Sequence, residues 1–334
     1  MREAELVIDI GSRNTTVCSR GVGVLIHEPS VAAIGNRGGK MTLVQAGRQA
    51  ERLATVKQAD FRILNPVKEG TIFHERAAAL MYREFIRRAV PYRIFKPKIK
   101  VIACVSCGIG NMDKRTIERV LLKAGADEVT IVESPLAVFE GMERREGAFV
   151  VDIGASKSEI AVCDQNGIIA GCSLNIGGDA LNNAIVDYVV DTYRCKIRMS
   201  GAEDVKRQIV NMYDGDRSPI IVNTESLHGE ERERIKLTAA ELREPVGKLI
   251  DKIVEVAFNM TAQIPESIAM DIYNGGITLC GGTAYMPGLA DYFERKLEVP
   301  VTVPDMPETA AAMGALGFYR DKERLAAFLN VENL

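Results

Sequence analysis

Two aspartates stand at the ends of apolar runs, and each is followed by the residue types a phosphate-holding turn needs. The first lies in Val7-Ile8-Asp9-Ile10-Gly11-Ser12-Arg13-Asn14, the second in Val151-Asp152-Ile153-Gly154-Ala155-Ser156-Lys157-Ser158. In both, an apolar residue separates the acid from a glycine, and polar residues lead into a second β-compatible run. Glycine permits a sharp bend, and successive backbone N–H groups of such a turn can converge on one anion. A carboxylate repels phosphate, so its use there is to hold Mg2+, generally through water, while the metal holds the phosphates. A single loop of this kind reads first as a plain β-turn. Two copies in chain order, with a third glycine cluster at Gly281-Gly282-Thr283, point instead to a nucleotide gripped from two sides. No G-x-G-x-x-G follows a first strand, and no G-x-x-x-x-G-K-[ST] occurs, so the other common phosphate loops are absent from the sequence.

These loops need strands to hold them. Leu6–Ile10, Thr15–Ser19 and Gly21–Ile26 read as a meander of short strands. Residues 75–89 carry apolar side chains at helical spacing, with Pro91 as the stop. A strand over 100–105, a helix over 113–124 closed by Gly125, a strand over 128–132 and a helix over 135–142 complete the first cycle. The second cycle has strands over 148–153, 159–164 and 167–173, then a helix over 180–193 opened by Gly177-Gly178-Asp179. A long helix over 239–260, a buried strand over 276–279, a helix over 289–297, a strand over 299–303 and a small-residue helix over 309–318 follow. The stretch 194–240 is charged and mixed. The two Asp-x-Gly segments lie about 140 residues apart, far beyond any solenoid period, so a duplicated α/β domain is the simple explanation.

Composition sets the boundaries of function. A chain of 334 residues with 47% hydrophobic and 26% charged residues fits two globular domains. The net charge of −3 argues against bulk nucleic-acid binding. No secretory signal opens the sequence and no apolar run is long enough to span a bilayer, which predicts a cytoplasmic protein. Seven scattered cysteines read as reduced thiols; Cys104 and Cys107 form a C-x-x-C pair, but no second pair or clustered histidine completes a metal site.

With the motifs in place, the chain resembles the actin-like ATPases. Asp9–Thr15, Asp152–Ser158 and Leu279–Gly288 look like the first phosphate, second phosphate and adenosine motifs of that fold. HEPSVAAI at 27–34, ILNPVKEGTI at 63–72, RIFKPKIKV at 93–101 and IGGDALNNAIVDYV at 176–189 resemble the bacterial rod-shape-determining actins, the MreB family. The resemblance implies two related α/β domains with a nucleotide cleft between them. They would be residues 1–146, with a small subdomain near 33–65 and residues 315–334 returning to it, and residues 147–314, with a small subdomain near 182–240. It implies ATP or ADP with Mg2+, self-association into filaments, a place at the inner face of the cell membrane, and cell-elongation membrane proteins as partners in cell-wall synthesis and rod shape. Asp9 and Asp152 would organise Mg2+. Gly11, Ser12, Arg13 and Asn14 would wrap the phosphates from one side, and Gly154, Ala155 and Ser156 from the other. Gly177, Gly178 and Asp179 would approach sugar and phosphates at a helix start, where the dipole favours anions. Glu203 and Lys206 would lie near the adenine, although the same pair also reads as a solvated helix pair. Gly281, Gly282 and Thr283 would let the base pack on backbone.

Two departures from the family matter. Its second phosphate loop has three glycines and two threonines, whereas this chain has Gly154-Ala155-Ser156-Lys157-Ser158. Alanine restricts the bend, and Lys157 offers either a phosphate contact or a solvated charge. The family also places a water-positioning glutamate just before a proline. Here Val132-Glu133-Ser134-Pro135 puts Ser134 there, with Glu133 adjacent as a possible substitute. Serine is a poor base at neutral pH, so the expectation is a protein that binds ATP and hydrolyses it slowly.

Arg87, Arg88, Arg93, Lys96, Lys98 and Lys100 surround Tyr92, Ile94 and Phe95. That is either a basic loop with buried apolar residues or an apolar tip rimmed by cations for an anionic bilayer; the resemblance implies the latter, with Ile94 and Phe95 as the membrane contacts. Other classes share the fold. A sugar or acetate kinase needs a further catalytic acid, and a heat-shock-type chaperone needs a peptide-binding domain beyond Leu334. A non-polymerising ATP-binding adaptor of a membrane complex stays open beside the filament protein.

Overall fold

The computed structural model describes residues 3–56, 60–92, 96–142, 146–227 and 232–331. The chain divides into two compact units, Met1–Glu146 with Cys163–Ser173 and Thr309–Leu334, and Gly147–Val162 with Leu174–Glu308.

The first unit opens with the hairpin-linked strands β1 (Glu3–Asp9), β2 (Asn14–Ser19) and β3 (Gly23–Pro29). A small sheet follows, built from β4 (Ala32–Arg37), β5 (Lys40–Ala46) and, after helix α1 (Arg48–Leu53), β6 (Phe61–Leu64), in the order β5-β4-β6. The short hairpin β7 (Val67–Lys68) and β8 (Thr71–Ile72) leads to α2 (Glu75–Ala89). This helix buries Ala77, Ala78, Met81, Tyr82, Phe85 and Ile86, the apolar stripe its spacing predicts. Next come β9 (Lys98–Val105), α3 (Asn111–Ala124), β10 (Glu128–Glu133) and α4 (Ser134–Glu140). α3 ends at Gly125, whose φ of 114° suits glycine and closes the last turn. The main sheet runs β10-β9-β1-β2-β3; β1 pairs parallel to β9 and antiparallel to β2. β10 pairs parallel to β9 on the side away from β1, so Asp9 and Glu133 both end strands that run in the same direction. Leu6, Ile8, Val101 and Ala103 form the floor of a core that α2 and α3 cover from one face.

The second unit begins with β11 (Ala148–Ile153). β12 (Ser158–Asp164) and β13 (Gly167–Leu174) follow in sequence, and with β17 (Ile277–Cys280) and β18 (Val301–Thr302) from later in the chain the sheet order is β13-β12-β11-β17-β18. α5 (Gly178–Tyr193), the two-residue β14 (Cys195–Lys196) and α6 (Met199–Ile209) precede the hairpin β15 (Pro219–Ser226) and β16 (Arg232–Thr238). The charged stretch 194–240 is thus a helix and a three-stranded sheet, β14-β15-β16. Thr238 and Glu241 form a reciprocal capping box at the start of α7 (Ala239–Thr261). α8 (Glu266–Gly275) and β17 (Ile277–Cys280) come next, then a 3-10 turn over Gly282–Tyr285, α9 (Leu289–Leu297) and β18 (Val301–Thr302). β11, β17 and β18 pair in parallel.

The chain then returns to the first unit. The expected helix over 309–318 is the short α10 (Ala310–Gly314) between 3-10 turns, and α11 (Lys322–Val331) ends the fold. Close packing explains the small residues: a methyl group on Gly314 would lie 2.0 Å from the Ala137 carbonyl oxygen on α4. Arg324 of α11 pairs at 3.0 Å with the buried Glu140 of α4 and lies over the rings of Phe139 and Phe328.

Candidate functional site

In the first unit, Asp9 ends β1 opposite Thr16, and Gly11–Asn14 form the turn into β2. The turn is tight at Gly11, where a Cβ would sit 2.1 Å from the Asn14 carbonyl oxygen. Ser30 staples it: its hydroxyl donates to the Gly11 carbonyl at 2.6 Å, its N–H donates to the Arg13 carbonyl at 2.9 Å, and Thr15 Oγ1 lies 2.9 Å from Ser30 Oγ. Ser12 Oγ accepts the Gly70 N–H at 2.9 Å, which ties the turn to the β7–β8 hairpin. Gly70 has φ of +70°, and its Cα faces Ser106 so closely that a Cβ would meet Ser106 Oγ at 2.1 Å. The Arg13 side chain is exposed.

The same unit holds the position where the family's glutamate is expected. Ser134 is buried at the first turn of α4, and its hydroxyl donates to the Val105 carbonyl at 3.0 Å. Both oxygens of the adjacent Glu133 are used: Oε2 accepts the Gly108 N–H at 3.0 Å, and Oε1 lies 3.2 Å from Lys114 Nζ. Pro135 follows in the first turn, where its missing N–H costs nothing.

In the second unit, more of the expected residues come together. Gly154 N–H donates to the Lys157 carbonyl at 2.9 Å and closes the turn. The Gly154 carbonyl accepts the Gly178 N–H at 2.9 Å, and the Ala155 carbonyl accepts the Asp179 N–H at 2.8 Å. The start of α5 therefore spends two N–H groups on the turn rather than offering them to a ligand. Gly177 must be glycine here, since its Cβ would lie 2.6 Å from the Ala155 oxygen. Thr283 Oγ1 reaches the Gly154 carbonyl at 3.5 Å. Gly281, with φ of +82°, lies against Asp152; a Cβ would stand 2.3 Å from Asp152 Oδ1. Burial pushes the Asp152 carboxyl up to about 6, while a hydrogen bond with Cys280 works the other way. A hard oxygen donor that is costly to ionise suits a divalent cation, whose charge offsets that cost.

Lys206 and Glu203 sit on α6 beside this cluster. Lys206 Nζ donates to the Gly178 carbonyl at 2.9 Å and to Glu203 Oε2 at 2.7 Å. Asn182 of α5 donates to the same Glu203 oxygen at 2.7 Å, and Arg207 Nε donates to Oε1 at 2.6 Å. Burial pushes the Glu203 carboxyl up, but hydrogen bonds from Lys206, Asn182 and Arg207 outweigh it and hold it at about 2. Burial also pushes the Lys206 ammonium down, against the pull of Glu203. Burial sets the direction of the Lys206 shift, whereas at Glu203 three hydrogen bonds overcome it. The pair is thus no solvated helix pair. Ser30 and Asn182 lie within the segments carrying the family resemblance, yet no chemistry marks either in the sequence; their roles come from contacts 19 and 21 residues away.

Ile94, Phe95 and Arg93 lie outside the described residues. The other cations of the expected rim have acidic partners. Arg87 pairs with Glu84, Arg88 with Glu28, Lys96 with Asp127, Lys98 with Glu128, and Lys100 with Glu3. The rim is locally neutralised, which the run of basic residues in the sequence does not reveal. No helix among the described residues is long and apolar enough to cross a membrane.

Solved structures share this architecture. MreB5 of Spiroplasma citri bound to ADP superposes with a TM-score of 0.85 at 22% identity, covering 99% of each chain. A MamK double helical filament gives 0.79 at 18% identity over 96% of this chain and 99% of that one. The fold is therefore the actin-like α/β fold. The MreB/Mbl protein family profile matches residues 3–327. The cell shape-determining protein MreB of Escherichia coli (strain K12) is 30% identical over 317 residues, which cover 93% of this chain and 91% of the relative. The chain belongs to the MreB/Mbl family.

Proposed function

We propose that this protein binds ATP with Mg2+ and assembles into filaments at the inner face of the cytoplasmic membrane, where it works with cell-elongation proteins in wall synthesis and rod shape. The observation that carries nucleotide binding is the joined cluster of Asp152, the 154–157 turn, the start of α5 and Gly281. Related structures hold ADP and AMPPNP, and a filament is known for the MamK relative. Mg2+ would sit by Asp9 and Asp152 and supply charge neutralisation for the phosphates. Turnover is slow in this reading, because the Ser134 hydroxyl is spent on the Val105 carbonyl and Glu133 is held by Gly108 and Lys114.

The test has two parts. Protein with Mg-ATP on an anionic lipid monolayer, viewed by negative stain, gives protofilaments if the reading is right. Phosphate release from Ser134→Glu should exceed that of the parent by about a hundredfold, the low end of a general-base contribution. The buried Ser134 favours one other reading, a non-polymerising ATP-binding adaptor of a membrane complex. Discrete particles that bind ATP but never polymerise would select it.

A further inference from the structure

The first phosphate turn is held from behind by buried hydroxyl groups. Thr15, Ser30 and Tyr82 are all buried, although each carries a polar oxygen. Ser30 donates to the Gly11 carbonyl at 2.6 Å, and Thr15 Oγ1 lies 2.9 Å from Ser30 Oγ. A hydroxyl has one proton to give, and a carbonyl only accepts. The Ser30 proton is therefore spent on Gly11, and the proton between Thr15 and Ser30 must come from Thr15. Thr15 Oγ1 then has only lone pairs left for a third group, which has to be a donor.

Helix α2 packs against β2 and β3 and brings Tyr82 to this point. The ring is fully buried. Its hydroxyl faces Thr15 at the outer edge of hydrogen-bond geometry, with no bond formed among the described residues. Burial pushes the phenol up, Thr15 works the other way, and the Asp9 carboxylate adds to the rise. The phenol is thus protonated at neutral pH and carries the proton that Thr15 lacks. Ser30 also shapes the backbone of the turn, since its N–H holds the Arg13 carbonyl at 2.9 Å. No peptide bond among the described residues is cis, and in a trans peptide the C=O and the following N–H point in opposite directions. With the Gly11 and Arg13 carbonyls turned toward Ser30, the N–H groups of Ser12 and Asn14 are turned away from it, as a turn that receives an anion needs.

We infer that Tyr82 is a positioning residue for the first phosphate turn: its hydroxyl closes onto Thr15 when the turn takes up the phosphates, and the relay from Tyr82 through Thr15 and Ser30 to Gly11 locks the loaded shape. This rests on the nucleotide-binding reading above and adds a support from α2 to the same site. A buried hydroxyl without a partner destabilises the free protein, and meeting Thr15 removes that cost on binding. Free stability and phosphate affinity therefore respond to the hydroxyl with opposite signs. The relay fixes only the 11–14 turn, so it reports on the phosphate chain and not on the nucleoside.

Tyr82→Phe, which removes the hydroxyl and keeps the ring, separates this role from packing. Nucleotide-free Tyr82→Phe protein should unfold at the parent's temperature or above it. Its ADP affinity should fall about fivefold, the scale of one neutral hydrogen bond, while adenosine binds parent and variant alike. Thr15→Val, which cuts the middle of the relay, should also weaken ADP, and adding Tyr82→Phe to it should change ADP binding no further. If Thr15→Val does not fold, Ser30→Ala takes its place in the cycle. A lower unfolding temperature for Tyr82→Phe would show its hydroxyl already satisfied in the free protein and would overturn the inference. So would unchanged ADP affinity, equal losses for ADP and adenosine, or additive losses in the double variant. Parent protein that binds no nucleotide would overturn the proposed function, and this inference with it.

Discussion

Replacing Asp152 by Asn should make the nucleotide-free protein more stable while removing its use for Mg-ATP. The carboxyl sits at the end of β11 with Gly281 packed against it, and burial raises it from 3.8 to about 6. The folded value lies above the unfolded one. Below about pH 3.8 both states are protonated and the group costs nothing. As pH rises through 6 the folded carboxyl must ionise in a poorly solvated place, and stability is lost. At about 1.36 kcal/mol per pH unit, the cost above pH 7 is about 3 kcal/mol. Asparagine keeps the shape and an oxygen to meet the Cys280 thiol, and has no charge to desolvate. The thermal unfolding midpoint in EDTA at pH 7.5 should therefore rise by roughly 4 °C in Asp152→Asn, because an unfolding entropy of about 2.1 cal/mol/K per residue over 334 residues gives about 1.4 °C per kcal/mol. The gap should close as the pH is brought toward 4. Excess Mg-ATP at about 100 times Kd should lift the parent by about 2.7 kcal/mol and leave the variant unmoved. A variant less stable than the parent at pH 7.5 without metal would refute the reasoning, since Asp152 would then be satisfied by the protein alone.

Two further outcomes are expected. Ser30→Ala removes the hydroxyl that staples the Gly11 carbonyl and should cost about 1–3 kcal/mol in denaturant unfolding, with weaker ADP binding measured on the same sample. Arg324→Met leaves Glu140 buried without its cation and should cost about 3–5 kcal/mol, most of it recovered in the double variant with Glu140→Gln.

The parts of this molecule that are legible in the sequence are local. Asp-x-Gly at the end of an apolar run marks both turns because strand, bend and hairpin are written within eight residues. α2 is bounded correctly by its stripe and by Pro91. What the sequence conceals depends on residues brought together from afar. Arg88 meets Glu28 and Lys96 meets Asp127, so a run of cations that looks like an open basic rim is paired in the fold. The use of Lys206 depends on Gly178, 28 residues earlier, and on where α6 packs. The stretch 194–240 is unreadable for another reason. β16 reads Arg-Glu-Arg-Ile-Lys-Leu-Thr, with too few apolar positions for a period-two signal, and it is a strand because β15 pairs along its length.

The first unit is discontinuous along the chain, and this bears on the order in which the protein can be made. Its sheet is built from residues before 134, but Tyr319, whose hydroxyl donates to the Leu6 and Lys100 carbonyls, and Phe328, which packs on Phe318, are synthesised only after the whole second unit. The second unit is nearly continuous, and the span from Gly147 to Glu308 leaves the ribosome before residues 309–331 do. A nascent chain therefore carries an unfinished first unit through the synthesis of the whole second unit, at a translation rate of roughly 5–20 residues per second. For on the order of ten seconds, the β1–β9 end of that sheet waits uncapped, an interval in which holding chaperones can act and in which premature stops within α11 would be felt by residues at the opposite end of the sequence.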